Sequence, residues 1–126
     1  MDSRRILLID DEDDIREIAA LSLEATVGWE TSTAECGSAG VAKAIAAPPD
    51  AILLDVMMPD MDGPETFLEL RRHAETAAPP VIFLTTKAQA AERRGLLETG
   101  ANGVIAKPFD PLTLASEISV ILGWPE

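Results

Sequence analysis

At 126 residues, and with roughly 100–200 residues to a domain, the chain is expected to form one domain. Its 22 acidic and 10 basic side chains give a net charge of −12, the wrong sign for direct binding to a nucleic-acid backbone. A hydrophobic fraction of 47% supplies a core and argues against disorder, and the single cysteine, Cys36, excludes an internal disulfide or a cysteine metal cluster. The apolar runs are about four residues long, far below the ~20 that span a bilayer. The first of them is also too short for a signal sequence and is followed directly by acids. The expectation is an acidic, soluble, cytoplasmic domain with no membrane insertion.

In chain order, the first strand is Ile6-Leu7-Leu8-Ile9. Ile15, Ile18, Ser22 and Ala25 then mark the packed face of a first helix. Glu30–Glu35 alternates, with Trp29, Thr31 and Thr33 on one side, as a half-exposed edge strand does. Ser38 is placed to cap a second helix carrying Val41, Ala42 and Ile45, which Pro48-Pro49 ends. Ala51-Ile52-Leu53-Leu54 is the third strand. Asp62-Gly63-Pro64-Glu65 reads as a capping box opening a third helix through Phe67, Leu68 and Leu70. Val81-Ile82-Phe83-Leu84 is the fourth strand, and a fourth helix over Ala91–Thr99 is closed by Gly100. Gly103-Val104-Ile105-Ala106 is the fifth strand. After Pro111 a last helix buries Leu114, Ala115, Ile118, Ile121 and Leu122 at a 3.6-residue period. Continuous rather than alternating apolar runs are the mark of strands buried on both faces, so the fold class is α/β, a (βα)5 doubly wound parallel sheet.

In such a sheet the ligand site lies beyond the carboxyl ends of the strands. Asp10-Asp11, Asp55, Thr85 and Lys107 all stand at those ends. Three converging carboxylates repel one another, and a divalent cation relieves this; an all-oxygen set suits Mg2+. An aspartate carboxylate is also a nucleophile able to form an aspartyl phosphate. A lysine ammonium and a hydroxyl beside it would hold the phosphoryl oxygens.

From Ile6 to Leu122 the chain resembles the receiver domain of two-component response regulators. The residues that carry the likeness are Asp10-Asp11, Asp55 with Val56-Met57-Met58-Pro59-Asp60-Met61-Asp62-Gly63, Thr85, and Lys107-Pro108-Phe109. No single element is specific, but their order and spacing together are. The resemblance implies a flavodoxin-like fold with strand order 2-1-3-4-5. A single receiver domain over 1–126 is expected, with its core at about 5–122 and no output domain, since only Gly123-Trp124-Pro125-Glu126 follow the fifth helix; the alternative is a receiver excised from a longer protein. The likeness implies that Asp55 accepts a phosphoryl group from a histidine kinase or histidine phosphotransfer protein. It also implies that Asp11, Asp55 and the backbone carbonyl of Met57 bind Mg2+, with Asp10 helping through water. Thr85 and Lys107 would contact the phosphoryl group, and Lys107-Pro108 would be cis. Met57 and Lys87 would flank the path of the water that hydrolyses the phosphate. The implied product is a signalling switch that catalyses only its own phosphorylation and dephosphorylation. It would meet an unknown downstream target through the face of the fourth helix, fifth strand and fifth helix. Two positions depart from the family: Val104 stands where Tyr or Phe is usual, and Thr86 where Ala or Gly is.

Other classes fit less well. A small Mg-dependent phosphohydrolase with an aspartyl-phosphate intermediate would carry a second Asp where Met57 stands, and would need a substrate cap. A flavin or nucleotide binder would need a phosphate-cradling loop after the first strand, where five acids stand instead. A receiver that has lost phosphoryl acceptance would lack a site residue, and all are present. Asp13 and Asp14 read as a solvated helix start. His73 reads as structural, Cys36 as a small packing residue near the edge strand, and Trp29 and Trp124 as packing residues or surface anchors. Methionines 57, 58 and 61 are loop and core filler apart from the carbonyl of Met57.

Overall fold

The computed structural model describes residues 3–125. Its elements are β1 (Arg5–Ile9), α1 (Asp13–Val27), β2 (Glu30–Ala34), α2 (Gly37–Ala46), β3 (Ala51–Asp55), α3 (Gly63–Arg71), a 3-10 turn (Ala74–Thr76), β4 (Val81–Thr85), α4 (Ala90–Glu98), β5 (Gly103–Ala106) and α5 (Leu114–Leu122). The five strands pair in parallel in the order β2-β1-β3-β4-β5. This is the doubly wound sheet expected from the alternation of apolar runs and helices.

Because side chains alternate along a strand, each apolar run feeds two cores. Leu7, Ile9, Ile52, Leu54, Val81, Phe83 and Val104 face Val41, Ala44, Phe67 and Leu70 of α2 and α3. Ile6, Leu8, Leu53, Ile82, Leu84 and Ile105 face Ala19 and Leu23 of α1 and Leu114, Ala115 and Ile118 of α5. Every residue of β3 and β4 is buried; with β1 they are the interior strands, and β3 and β4 end at Asp55 and Thr85. The fourth helix is different: none of its residues is buried, and Leu96 is partly so.

Local expectations are corrected in several places: Ala42 of α2 is exposed, and Ile121 and Leu122 of α5 are half-buried rather than buried. In α1 the buried residues are Ala19, Ser22 and Leu23, whereas Ile18 and Ala25 are exposed. Leu23 outweighs Ala25 as an apolar group and rotates the packed face toward itself. Ser22 joins that face by donating its hydroxyl to the carbonyl of Pro111. Ser38 does not cap α2; that helix starts at Gly37 with Cys36 at the cap position, and the Ser38 hydroxyl lies 3.5 Å from the Cys36 sulfur. Cys36 is half-buried at this helix start. β2 stops at Ala34 and α4 spans Ala90–Glu98, one residue off each expected bound. Gly100 follows α4 with φ 107, a left-handed conformation that a side chain would strain.

The capping box of α3 is present: the Asp62 carboxylate accepts from the Glu65 amide at 2.9 Å, and the Glu65 carboxylate from the Asp62 amide at 3.0 Å. Leu68 lies on the outer side of that helix and is exposed. Trp29 is buried and meets Trp124 edge-on, with ring centroids 5.4 Å apart. The Arg4 guanidinium lies 4.2 Å over the Trp124 ring, which pins the chain after α5 to the start of β1. Among the described residues no helix is long and apolar enough to cross a membrane.

Candidate functional site

The carboxyl edge of the sheet gathers Asp10 after β1, Asp55 at the end of β3, Thr85 at the end of β4 and Lys107 after β5. Backbone bonds fix each. The Asp10 amide donates to Ala34 at 3.0 Å, the Val56 amide to Leu84 at 3.1 Å, and the Lys107 amide to Thr85 at 2.8 Å. The loop after Asp55 is folded back tightly, with the Gly63 amide donating to the Val56 carbonyl at 2.9 Å. A Cβ on Gly63 would stand 2.6 Å from the Asp55 carbonyl oxygen and 2.8 Å from the Val56 Cα, so only glycine lets α3 start this close to the strand end.

Lys107 is the hub. Its Nζ lies 3.0 Å from Asp10 Oδ2, 3.1 Å from Asp55 Oδ1 and 3.1 Å from Glu12 Oε1. The Asp10 contact is an ion pair without hydrogen-bond alignment, so Oδ2 remains a buried oxygen with no hydrogen-bond partner. Oδ1 of the same carboxylate accepts from the Glu12 amide at 2.9 Å. Burial, and then the neighbouring Asp10 charge, push the Asp55 carboxyl up to about 6 despite the opposing pull of Lys107. Burial also raises Asp10. For Lys107, burial works against the charge, but the contacts with Asp10, Glu12 and Asp55 prevail and raise its pKa. The Lys107-Pro108 peptide is cis.

Asp10, Asp11, Glu12 and Asp55 each offer a carboxylate oxygen, all within 4.8 Å of one another. Two of the four are buried and two exposed. The cluster therefore joins an orphaned buried oxygen to an opening onto water, and its donors are all hard oxygens. It can hold a metal, and it fits an ion such as Mg2+ that keeps part of its hydration. Met57 lies in the loop just past Asp55 and is 63% exposed, while Met58 is buried. Thr85 is buried and its hydroxyl accepts from the Lys87 amide at 2.9 Å, tying it to the start of the β4–α4 loop. His73 pairs with Glu69 at 3.1 Å on α3 and takes no part in the acidic cluster.

Two residues at this edge carry roles that the sequence reading did not single out. Glu12 reaches Lys107 across the loop, and Arg16 donates from Nη1 to the Asp10 carbonyl at 2.7 Å while pairing with Asp13. The only signal for either was position, immediately after the Asp10-Asp11 pair and one helical turn on.

Comparison with known proteins agrees with this geometry. The model of the response regulator receiver domain matches residues 6–119. The phosphate regulon transcriptional regulatory protein PhoB of Pseudomonas aeruginosa is 38% identical over 122 residues, covering 97% of this chain and 53% of PhoB. The chain thus spans about half the length of the curated relatives it matches. Among solved structures, the chemotaxis response regulator CheY4 of Vibrio cholerae superposes with a TM-score of 0.88 at 32% identity, covering 95% of this chain and 99% of that one. The receiver domain of sensor histidine kinase PA1611 from Pseudomonas aeruginosa superposes with a TM-score of 0.84 at 28% identity, covering 97% and 99%; it holds a magnesium ion coordinated in its active-site cleft. With the strand order, the strand-end cluster and the whole-chain match all in agreement, this chain belongs to the response regulator receiver domain family of two-component signalling.

Proposed function

We propose that this receiver takes a phosphoryl group onto Asp55 in a Mg2+-dependent step, the donor being a phosphohistidine on a histidine kinase or phosphotransfer protein. The observation that carries the reading is the single buried ammonium of Lys107 spanning Asp10 and Asp55 at the carboxyl edge of the sheet. Asp11, Asp55 and the Met57 carbonyl would hold the ion, with Asp10 acting through water. When bound, Mg2+ supplies positive charge to the carboxylates and to the phosphoryl oxygens. Asp55, with a pKa of about 6, is mostly ionised at neutral pH and needs no base. Its free oxygen attacks phosphorus, the P–N bond of the donor breaks, and the imidazole nitrogen keeps the electron pair. Lys107 then donates to a phosphoryl oxygen, and the Thr85 hydroxyl turns from the Lys87 amide to another. The chain's chemistry is confined to gaining and losing this group; no observation favours turnover of a separate phosphoester.

Incubation with acetyl phosphate and Mg2+ is expected to add one phosphoryl group by intact mass, mapped to Asp55, and none when the metal is chelated. Uptake at another residue, or equal uptake without metal, would refute the assignment.

The downstream surface is proposed to be the face of α4, β5 and α5, whose groove is lined by Arg93, Val104, Thr113 and Val120. Val104 is buried and β-branched, and it has no ring to swing inward. Its carbonyl accepts from Arg93 Nη1 at 3.1 Å, which ties α4 to β5. The response therefore passes through the Thr85–Lys87 loop and the start of α4. Thr85→Ala is expected to leave Asp55 phosphorylation within a few-fold of wild type but to remove most amide-shift changes in α4 on beryllofluoride addition. Val104→Ala is expected to keep most of them. Loss of the response in Val104→Ala with normal phosphorylation would place the switch in β5.

A further inference from the structure

We propose that Glu12 is a displaceable placeholder on Lys107, a positioning residue that sets how readily the ammonium turns to an incoming phosphoryl group. The proposal rests on the reading in which Asp55 is the acceptor. The Lys107 Nζ donates to Asp55 Oδ1 and Glu12 Oε1 at 3.1 Å each, and its remaining side is closed by Asp10 Oδ2, an ion-pair contact at 3.0 Å without hydrogen-bond alignment. The Lys107 side chain is 6% exposed, so no water-facing proton is held in reserve. The ammonium is thus enclosed by three carboxylates, and a phosphoryl oxygen on Asp55 reaches it when one of them moves aside.

The three are unequal. The side chains of Asp10 and Asp55 are 0% and 4% exposed, and taking either from the ammonium leaves a buried charge unpaired, which is costly. The Glu12 side chain is 60% exposed, so its carboxylate returns to water at little cost. Its backbone stays in place meanwhile, because the Glu12 amide is held by Asp10 Oδ1 at 2.9 Å. Glu12 thus satisfies Lys107 in the resting site and is the partner that leaves. While it stays, it competes with the phosphoryl oxygen for the same proton.

The test measures initial rates of phosphorylation by acetyl phosphate with saturating Mg2+, where Asp55 displaces acetate, as a function of donor concentration. Glu12→Gln removes the charge. Glu12→Asp keeps the charge but falls one methylene short of Lys107. Both are expected to raise kcat/KM about two- to fivefold, the range that a partly exposed ion pair carries. In a Lys107→Met background the gain should vanish, because Glu12 acts only through that ammonium. Mg2+ affinity, read by thermal shift, should change less than about twofold in Glu12→Asp, which keeps the charge beside the acidic cluster. A gain in Glu12→Gln but not in Glu12→Asp would show plain charge repulsion of the donor and overturn the proposal. So would a gain that persists without Lys107, a large loss of Mg2+ affinity in Glu12→Asp marking Glu12 as a metal ligand, or unchanged rates in both variants. The Glu12→Asp arm decides by itself if Lys107→Met folds poorly. If the wild type takes no phosphoryl group on Asp55, the acceptor reading itself falls and the proposal with it; normal wild-type uptake with unaltered variants sinks the proposal alone.

Discussion

Asp55→Asn is expected to end phosphoryl uptake and, at the same time, to stabilise the metal-free domain. The two effects share one cause. Burial and the Asp10 charge lift the Asp55 pKa to about 6, so the ionised carboxylate is held in a site that disfavours it. Between the unfolded value near 3.8 and about 6, the folded state keeps a proton that the unfolded chain has lost. Stability from this group therefore falls as pH rises through that window, and the full cost stands above it. Asp10, also raised, adds in the same direction. An uncharged amide escapes the cost, which recovers about 1–3 kcal/mol at neutral pH and several degrees in the melting midpoint. Thermal melts from pH 4 to 8 in chelator should show the wild type losing stability across the window and Asp55→Asn losing distinctly less. A variant that melts below wild type at pH 7 would mean that the Lys107 contact outweighs burial.

Mg2+ is expected to raise the melting midpoint strongly at pH 7, and weakly at pH 5, where Asp55 is mostly protonated. A ligand that binds only the native state stabilises it by about 2.7 kcal/mol at a hundredfold excess over Kd, and its carboxylate ligands must be ionised to bind. Of the carboxylates proposed to hold the ion, Asp11 is exposed and its loss disturbs packing least, so Asp11→Ala should fold normally and lose most of the rise. Differential scanning fluorimetry with Mg2+ against matched ionic strength of Na+ makes the comparison. An undiminished rise in Asp11→Ala would put the metal elsewhere.

What could be read in advance followed from how far each constraint reaches along the chain. Ala51-Ile52-Leu53-Leu54 announced a doubly buried strand because helices cover both faces of the sheet there, and the apolar run ends where the site begins, at the buried Asp55. The Asp62–Glu65 capping box was legible because its bonds close within four residues. The packed face of α1 was not, since the preference for Leu23 over Ala25 is settled by strands and a helix far away in sequence. Nor was the Glu12–Lys107 contact, which joins residues 95 apart. Ser38 misled because it is a strong capping residue type, yet the chain enters α2 early, where Gly37 packs so closely that a Cβ would stand 2.3 Å from the Thr66 hydroxyl oxygen.

The poor burial of α4 gives the fold an uneven spectrum of opening free energies. Amides of β3 and β4, buried along their whole length, exchange with solvent only when the domain unfolds globally. Those of α4, with no buried side chain, are expected to exchange through small local fluctuations. The helix that follows the Thr85–Lys87 loop is then expected to open at low cost, independently of the sheet. A bias of a few kcal/mol from the loop is enough to change which of its states dominates, without any rearrangement of the sheet that carries Asp55.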